Sequence, residues 1–166
     1  MKITKAIATA AMLALTCGAA EASNGLYIIS DDDIRNVASL NANGSGNRVF
    51  VVQDHDGLSG ANRLTLDIEG DLNGGPLNAY FGPLMPDLGL APGRIKQIGH
   101  DNAMRISVTG SQNLFSMSQN GYGNQLTAVV TGNYNQAAVM QIGNGNSLSF
   151  TQNGNGNMLS VVQRSR

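Results

Sequence analysis

Residues 113–157 read NLFSMSQNGYG NQLTAVVTGNY NQAAVMQIGNG NSLSFTQNGNG N, in which one eleven-residue pattern occurs four times and begins a fifth. After its asparagine, each complete unit has apolar residues at the second and fourth positions, Gln or Val at the sixth and Gly at the eighth. A strict short period of this kind indicates a repeat protein whose units stack on one another. The asparagines that keep the spacing are Asn102, Asn113, Asn124, Asn135, Asn146 and Asn157.

The alternation within a unit predicts a strand, because side chains at even positions share one face of an extended chain and those at odd positions share the other. A strand of about seven residues with a four-residue turn leaves no room for a helical crossover, so the next strand must follow across a tight bend. Either a hairpin meander or a solenoid would join consecutive strands across such a bend. Only the solenoid stacks like residues every second unit, which lets buried Asn and Gln amides bond to those above and below. We therefore predict an all-β, amyloid-type, two-sheet parallel β-solenoid with 22 residues per coil.

The first half of the chain repeats less cleanly. Units open at Asn36, Asn47 and Asn62, and the pattern then fails across a Pro-containing insert predicted at residues 73–90. If only one strand lies between this insert and Asn102, glutamine occupies the sixth position in alternate units, and these glutamines fall in one column. That parity predicts ten strands in about five coils over residues 36–166, with a ladder of Gln53, Gln97, Gln119, Gln141 and Gln163.

The N-terminus has the pattern of a secretory signal peptide. Lys2 and Lys5 precede an apolar stretch, and Ala20 and Ala22 are small residues at the positions that a signal peptidase reads, so residues 1–22 are predicted to be removed. Cys17 lies in that segment, which would leave an exported chain without thiols. Residues 23–35 are predicted to be a lead-in. The net charge of -1 does not favour nucleic-acid binding, and no second apolar stretch is long enough to cross a bilayer.

The pattern Asn-x5-Gln-x-Gly-x-x-Asn in a Gly- and Asn-rich exported chain resembles the curlin repeat of curli fibre subunits. The match spans about 36–166 and is strongest at 97–102, 119–124, 141–146 and 152–157. The resemblance implies an extracellular amyloid fibre, or pilus, on the bacterial cell surface that serves cell adhesion and the biofilm matrix. It also implies self-association, a second curlin subunit and an outer-membrane secretion pore. The chain departs from the family at its apolar sixth positions, its insert and its lead-in.

No arrangement of Ser, His and acidic residues suggests catalysis, and no cofactor is expected. The sequence favours a structural subunit that polymerises at its strand edges. Two alternatives stay open, which are a cell-associated nucleator of such fibres, suggested by the basic ending, and a monomeric secreted solenoid that binds a ligand through an outer face. The charged residues predicted to mark the assembly ends are Asp31, Asp32, Asp33, Arg164 and Arg166.

Two segments outside the repeat have competing interpretations. Asp54-His55-Asp56 and His100-Asp101 contain residues that ligate metals, but both lie in polar turns where these residue types are common, so no metal site is predicted. The apolar part of the insert is either a loose loop or a lid over one sheet. We favour the lid because its apolar side chains, Tyr80, Phe81, Leu84, Met85 and Leu88, would otherwise be exposed.

Overall fold

The computed structural model describes residues 12–13, 24–30, 36–76, 79–82 and 88–166. Across these residues the chain forms strands and turns and no helix. Nine of the twelve strands in these residues are seven residues long, as the repeat predicts. They are β1 (Met12–Leu13), β2 (Gly25–Ser30), β3 (Val37–Asn43), β4 (Arg48–Asp54), β5 (Arg63–Glu69), β6 (Arg94–His100), β7 (Ala103–Thr109), β8 (Leu114–Tyr122), β9 (Gln125–Thr131), β10 (Gln136–Ile142), β11 (Ser147–Asn153) and β12 (Met158–Arg164).

Successive strands alternate between two parallel sheets. The odd-numbered strands form sheet A in the order β1-β3-β5-β7-β9-β11, and the even-numbered strands form sheet B in the order β12-β10-β8-β6-β4-β2. Each strand thus pairs in parallel with the strand two units along the chain, in registers such as Gln119 with Gln141. The prediction of a two-sheet parallel β-solenoid with about 22 residues per coil is confirmed.

The core is the thin layer between the sheets, and it follows the predicted alternation. Strand β3 alternates exposed and buried residues along its whole length. Ile106, Met117 and Val139, all at fourth positions, are fully buried at 0% exposure. Apolar side chains from both sheets therefore meet in one continuous column of core that runs the length of the solenoid.

The solenoid is longer at its N-terminal end than predicted. The ten strands expected from residue 36 onward are present as β3 to β12, but β2 lies within the predicted lead-in and pairs with β4. The two-residue strand β1, within the predicted signal peptide, pairs with Ser39 and Leu40 of β3. About six turns therefore replace the five that we predicted. Strand β2 was missed because it lacks the Asn and Gly spacing of the repeat, although Leu26 and Ile28 alternate inward against the core.

The insert begins and ends two residues later than predicted. Asn73 and Gly74 still belong to the coil, since the Gly74 N–H donates to Asn113 O at 2.8 Å and the Gly93 N–H donates to Phe115 O at 2.7 Å. The excursion therefore occupies residues 75–92. Removing these residues from the sequence restores an eleven-residue unit that runs from Asn73 to Asp101 and has Gln97 at its sixth position.

The described part of the insert lies over the outer face of sheet B. The Gly82 N–H donates to Gln136 Oε1 at 2.7 Å. On the same face, Ser116 and Ala138 stand at outward positions, yet each is only 1% exposed. These contacts agree with a lid, although Tyr80 is 78% exposed and Leu84 and Met85 lie outside the described residues.

Candidate assembly interface

The turns bring successive coils into close backbone contact at the glycine of the eighth position. Gly121 has a φ of 128°, a conformation that side chains with a Cβ rarely adopt. A Cβ at Gly121 would lie 2.1 Å from Gly143 O of the next coil. Gly110 has the same relation to Gly132 O. Glycine is required here for two reasons, the backbone conformation and the spacing between coils.

The asparagines that open the units form two buried columns along the solenoid. Asn124 is representative, because its Nδ2 donates to Asn102 Oδ1 at 2.9 Å and to Gly143 O at 2.8 Å. Its backbone N–H also donates to Asn102 Oδ1, at 3.2 Å. Each side chain thus ties together three successive coils. One column contains Asn36, Asn62, Asn102, Asn124 and Asn146, and the other contains Asn24, Asn47, Asn73, Asn113, Asn135 and Asn157.

The asparagine columns include five residues that we had not placed in the ladder. Asn24, which directly precedes β2, lies in the predicted lead-in. Asn36, Asn47 and Asn62 open recognised units, but the irregular spacing around them hid their stacking. Asn73 was assigned to the insert, and it is fully buried at 0% exposure. Its position eleven residues after Asn62 was the signal that could have identified it.

The five glutamines placed together by parity lie in one column of sheet B. Along it, each Nε2 donates to the Oε1 of the glutamine in the next coil toward the C-terminus, at distances of 2.8, 3.0, 2.9 and 2.8 Å. The second N–H crosses the core, as when Gln119 Nε2 donates to Ala103 O of sheet A at 3.1 Å. A one-residue slip of any strand would break these bonds at a cost of about 1–3 kcal/mol for each unpaired buried group. The column therefore fixes the register between coils. It consists of Gln53, Gln97, Gln119, Gln141 and Gln163.

Gln152 occupies the equivalent position in sheet A and is bonded differently. Its Nε2 donates to Gln136 O at 3.1 Å, but its Oε1 is buried and has no hydrogen-bond partner. The residue paired with Gln152 in the preceding coil is Val130, whose side chain offers no donor. The orphaned oxygen follows from placing one amide in an otherwise aliphatic column.

The C-terminal end of the solenoid presents two strand edges, β11 in sheet A and β12 in sheet B. The N–H of Gln136, which opens β10, donates to Asn157 O in the following coil. Because such bonds alternate along a parallel strand, the N–H groups of Ser160 and Val162 face away from β10. The core residues Leu148, Phe150 and Val161 at this end are only partly buried. This end therefore has the hydrogen-bonding groups and the apolar surface that another strand layer would cover.

The structure describes two of the five charged residues that were predicted to mark the assembly ends. Arg164 ends β12, and both Arg164 and Arg166 are exposed at the C-terminal edge. Asp31, Asp32 and Asp33 lie outside the described residues, between β2 and β3. At the N-terminal end, β2 covers β4 over six residues, whereas β1 covers only two residues of β3.

The two polar turns considered as metal-ligand candidates contact each other. His100 Nδ1 donates to Asp56 Oδ2 at 2.9 Å, and the His100 ring stacks on Tyr122 with 5.3 Å between ring centroids. The hydrogen bond from His100 is the main cause that lowers the pKa of Asp56 from its usual value. The Gly57 N–H donates to His55 Nδ1, so His55 Nε2 carries the proton that it shares with Gly60 O at 2.8 Å. These bonds close the long turn between β4 and β5.

Among the residues that the structure describes, no group of three or more His, Cys, Asp or Glu side chains is arranged to hold a metal ion. The same residues include no helix long and apolar enough to span a membrane. Compared with known proteins, the chain matches no family model, no curated sequence and no solved structure.

Proposed function

We propose that this chain is a structural subunit of an extracellular, curli-like amyloid fibre that serves cell adhesion and the biofilm matrix, and that it polymerises by end-on addition. The observation that carries this proposal is the C-terminal end, where β11 and β12 offer two parallel edges above an incompletely covered core. Long, exposed edges of this kind invite pairing with another chain unless they are capped or charged.

A second copy would cover apolar surface that is still accessible at this end. Leu148, Phe150 and Val161 are partly buried at the end, whereas Phe115 and Met117, at equivalent positions inside the solenoid, are at most 1% exposed. Full burial of an apolar side chain of this size contributes about 1.5–3 kcal/mol relative to full exposure. Part of that gain remains available at the end, in addition to the backbone hydrogen bonds of two new strand pairs.

The amide columns favour addition of a like chain over unspecific aggregation. Asn146 and Asn157 are the last asparagines of their columns, and Gln163 is the last glutamine of its own. An added coil that presents Asn and Gln at the same positions would continue all three columns. A foreign strand would leave amides unpaired. Self-association therefore gives the best match in hydrogen bonding.

The test is assembly of the chain from Ser23 onward after dilution from denaturant. We expect fibres whose diffraction shows strands spaced about 4.8 Å apart along the fibre axis. Val162→Pro should stop growth at the C-terminal end, because proline removes an N–H that faces away from β10 and leaves the bonds to β10 in place. Val162→Thr keeps that N–H and is the matched control.

A persistent monomer of the unmodified chain at high concentration would contradict this proposal and favour the secreted ligand-binding alternative. Equal growth of the proline and threonine variants would show that the β12 edge is not a site of addition.

A further inference from the structure

The number of strands in the chain from Ser23 onward conflicts with continuous end-on stacking. From Asn24 onward, the described residues form eleven strands, six in sheet B and five in sheet A. A two-sheet solenoid continues without a break only if each subunit contributes equal numbers to both sheets. If β2 of an added copy pairs with β12, one strand position in sheet A stays empty between β11 and the β3 of that copy.

Such a gap would lie over the core. It would be two strand spacings high, about 9.6 Å between the flanking strands, and both facing edges would stay unpaired. Leu148 and Phe150 of β11, which are already only partly buried, would lie against it. The asparagine column that ends at Asn146 would also be interrupted.

We propose that β2 is a removable cap, which leaves β4 when a second copy of this chain adds, so that β11 and β12 of one copy pair with β3 and β4 of the next. This inference rests on the proposed fibre function. The ten remaining strands, β3 to β12, divide equally between the two sheets. One strand pair, β2 with β4, is lost and two strand pairs are formed.

The side chains match across the resulting junction. Following the observed register, Gln163 lies opposite Gln53 of the next copy, and Asn146 opposite its Asn36. Every donor in the glutamine column points toward the C-terminus, so Gln163 Nε2 is oriented toward the incoming Oε1. All three amide columns therefore continue from one copy into the next.

The charges agree with the same register. Arg164 is paired with Ile142, and the same row of sheet B leads through Asn120 and Ile98 to Asp54 at its N-terminal end. Both Asp54 and Arg164 are exposed, so opposite charges meet at the junction. By sequence position, a register that kept β2 in place would bring Arg164 opposite Asp31, so the charges support end-on stacking in either register.

Strand β2 has the features of an element that detaches. It is one residue shorter than β4, it pairs on one edge only, and Tyr27 and Ile29 are 60% and 55% exposed. Leu26 and Ile28 face inward but are only partly buried. Few fully buried contacts hold it to the rest of the solenoid.

A reversible disulfide tests the inference directly. Ile29 is paired with Val52 across β2 and β4, and adjacent parallel strands place such residues within the range that a disulfide spans. The exported chain would have no other thiol, because Cys17 lies in the predicted signal peptide. Ile29→Cys with Val52→Cys therefore locks β2 in place when oxidised and frees it when reduced. Ser107→Cys with Val129→Cys joins β7 and β9, which stay paired in either register, and serves as the matched control.

We expect the oxidised β2 lock to lose elongation on seeds of the unmodified chain and to regain it on reduction, while the control pair elongates in both states. Equal elongation of the locked and reduced forms would overturn the cap proposal and leave the fibre proposal intact. If the unmodified chain and the control pair also formed no fibres, both proposals would be wrong.

Discussion

The two sheets of this solenoid carry the same backbone but different sixth positions. In sheet B these positions are glutamine from β4 to β12, with Ser30 at the corresponding position of β2, and each glutamine amide donates to its neighbour or to the opposite sheet. In sheet A the column is aliphatic until its last member, Gln152, whose Oε1 has no partner. A buried amide is therefore favourable here only as one of a continuous series, and the same residue type can have opposite effects in the two sheets. The sheet A column contains Ala42, Ile68, Val108, Val130 and Gln152.

The largest effect is expected at the middle of the glutamine column. Gln119→Leu removes the acceptor of Gln97 Nε2 and the donor to Gln141 Oε1. Because Gln141 Oε1 then has no replacement inside the core, we expect a loss of about 1–3 kcal/mol in the free energy of unfolding. Chemical denaturation of the Val162→Pro chain, in which end-on growth is blocked, measures it.

A double mutant of two neighbouring glutamines checks the cause of that loss. Gln119→Leu combined with Gln141→Leu should cost less than the two single changes summed, since each removes a group that the other leaves unpaired. Strict additivity would mean that the glutamines contribute independently and that the column is not a coupled series.

A smaller effect of opposite sign is expected in sheet A. Gln152→Leu removes the buried Oε1 that has no partner and loses one bond, from Nε2 to Gln136 O. Unfolding free energy should therefore stay within about 1 kcal/mol of the unmodified chain or rise. A loss as large as that of Gln119→Leu, measured in the same background, would show that the two sheets do not differ as described.

The two sheets also differ on their outer faces, because the insert lies over the outer face of sheet B. Deletion of residues 75–92 leaves an intact eleven-residue unit, so fibre formation should persist, measured by sedimentation of the assembled chain. The monomer should lose modest stability, because Ser116 and Ala138 would become exposed on sheet B. Abolished assembly would mean that the insert takes part in the strand ladder.

The smallest effect is expected in the long turn that links sheet B to sheet A. The hydrogen bond from His100 lowers the pKa of Asp56, so its contribution to stability is fully present above the usual pKa of an aspartate and is lost as the pH falls through the lower folded-state pKa. Asp56→Asn should remove this acid-dependent part and leave the glutamine column unaffected. Unfolding curves at neutral and acidic pH, compared between Asp56→Asn and the unmodified chain, measure the difference.

The periodic parts of this molecule could be predicted from the sequence, and the parts that break the period could not. Gln53 and Gln97 were brought into one column across the insert because parity depends only on the number of strands. Asn73 was missed because the insert begins two residues after it, within the eleven-residue unit and not between two units. Strand β2 follows Asn24 but has Ser30 at its sixth position and no glycine at its eighth. The contact of His100 with Asp56 depends on the shape of an irregular turn. Neither leaves a periodic signal in the chain.

Electron cryo-microscopy of assembled fibres tests the central claim, that subunits add end on and continue one solenoid. End-on addition with β2 detached predicts strands perpendicular to the fibre axis and an axial rise of about 24 Å per subunit, from five coils spaced about 4.8 Å apart. A rise of about 29 Å would mean that β2 stays in the stack and that the cap proposal is wrong. Fibres in which the solenoids lie side by side, with their strand edges unpaired, would contradict the account as a whole.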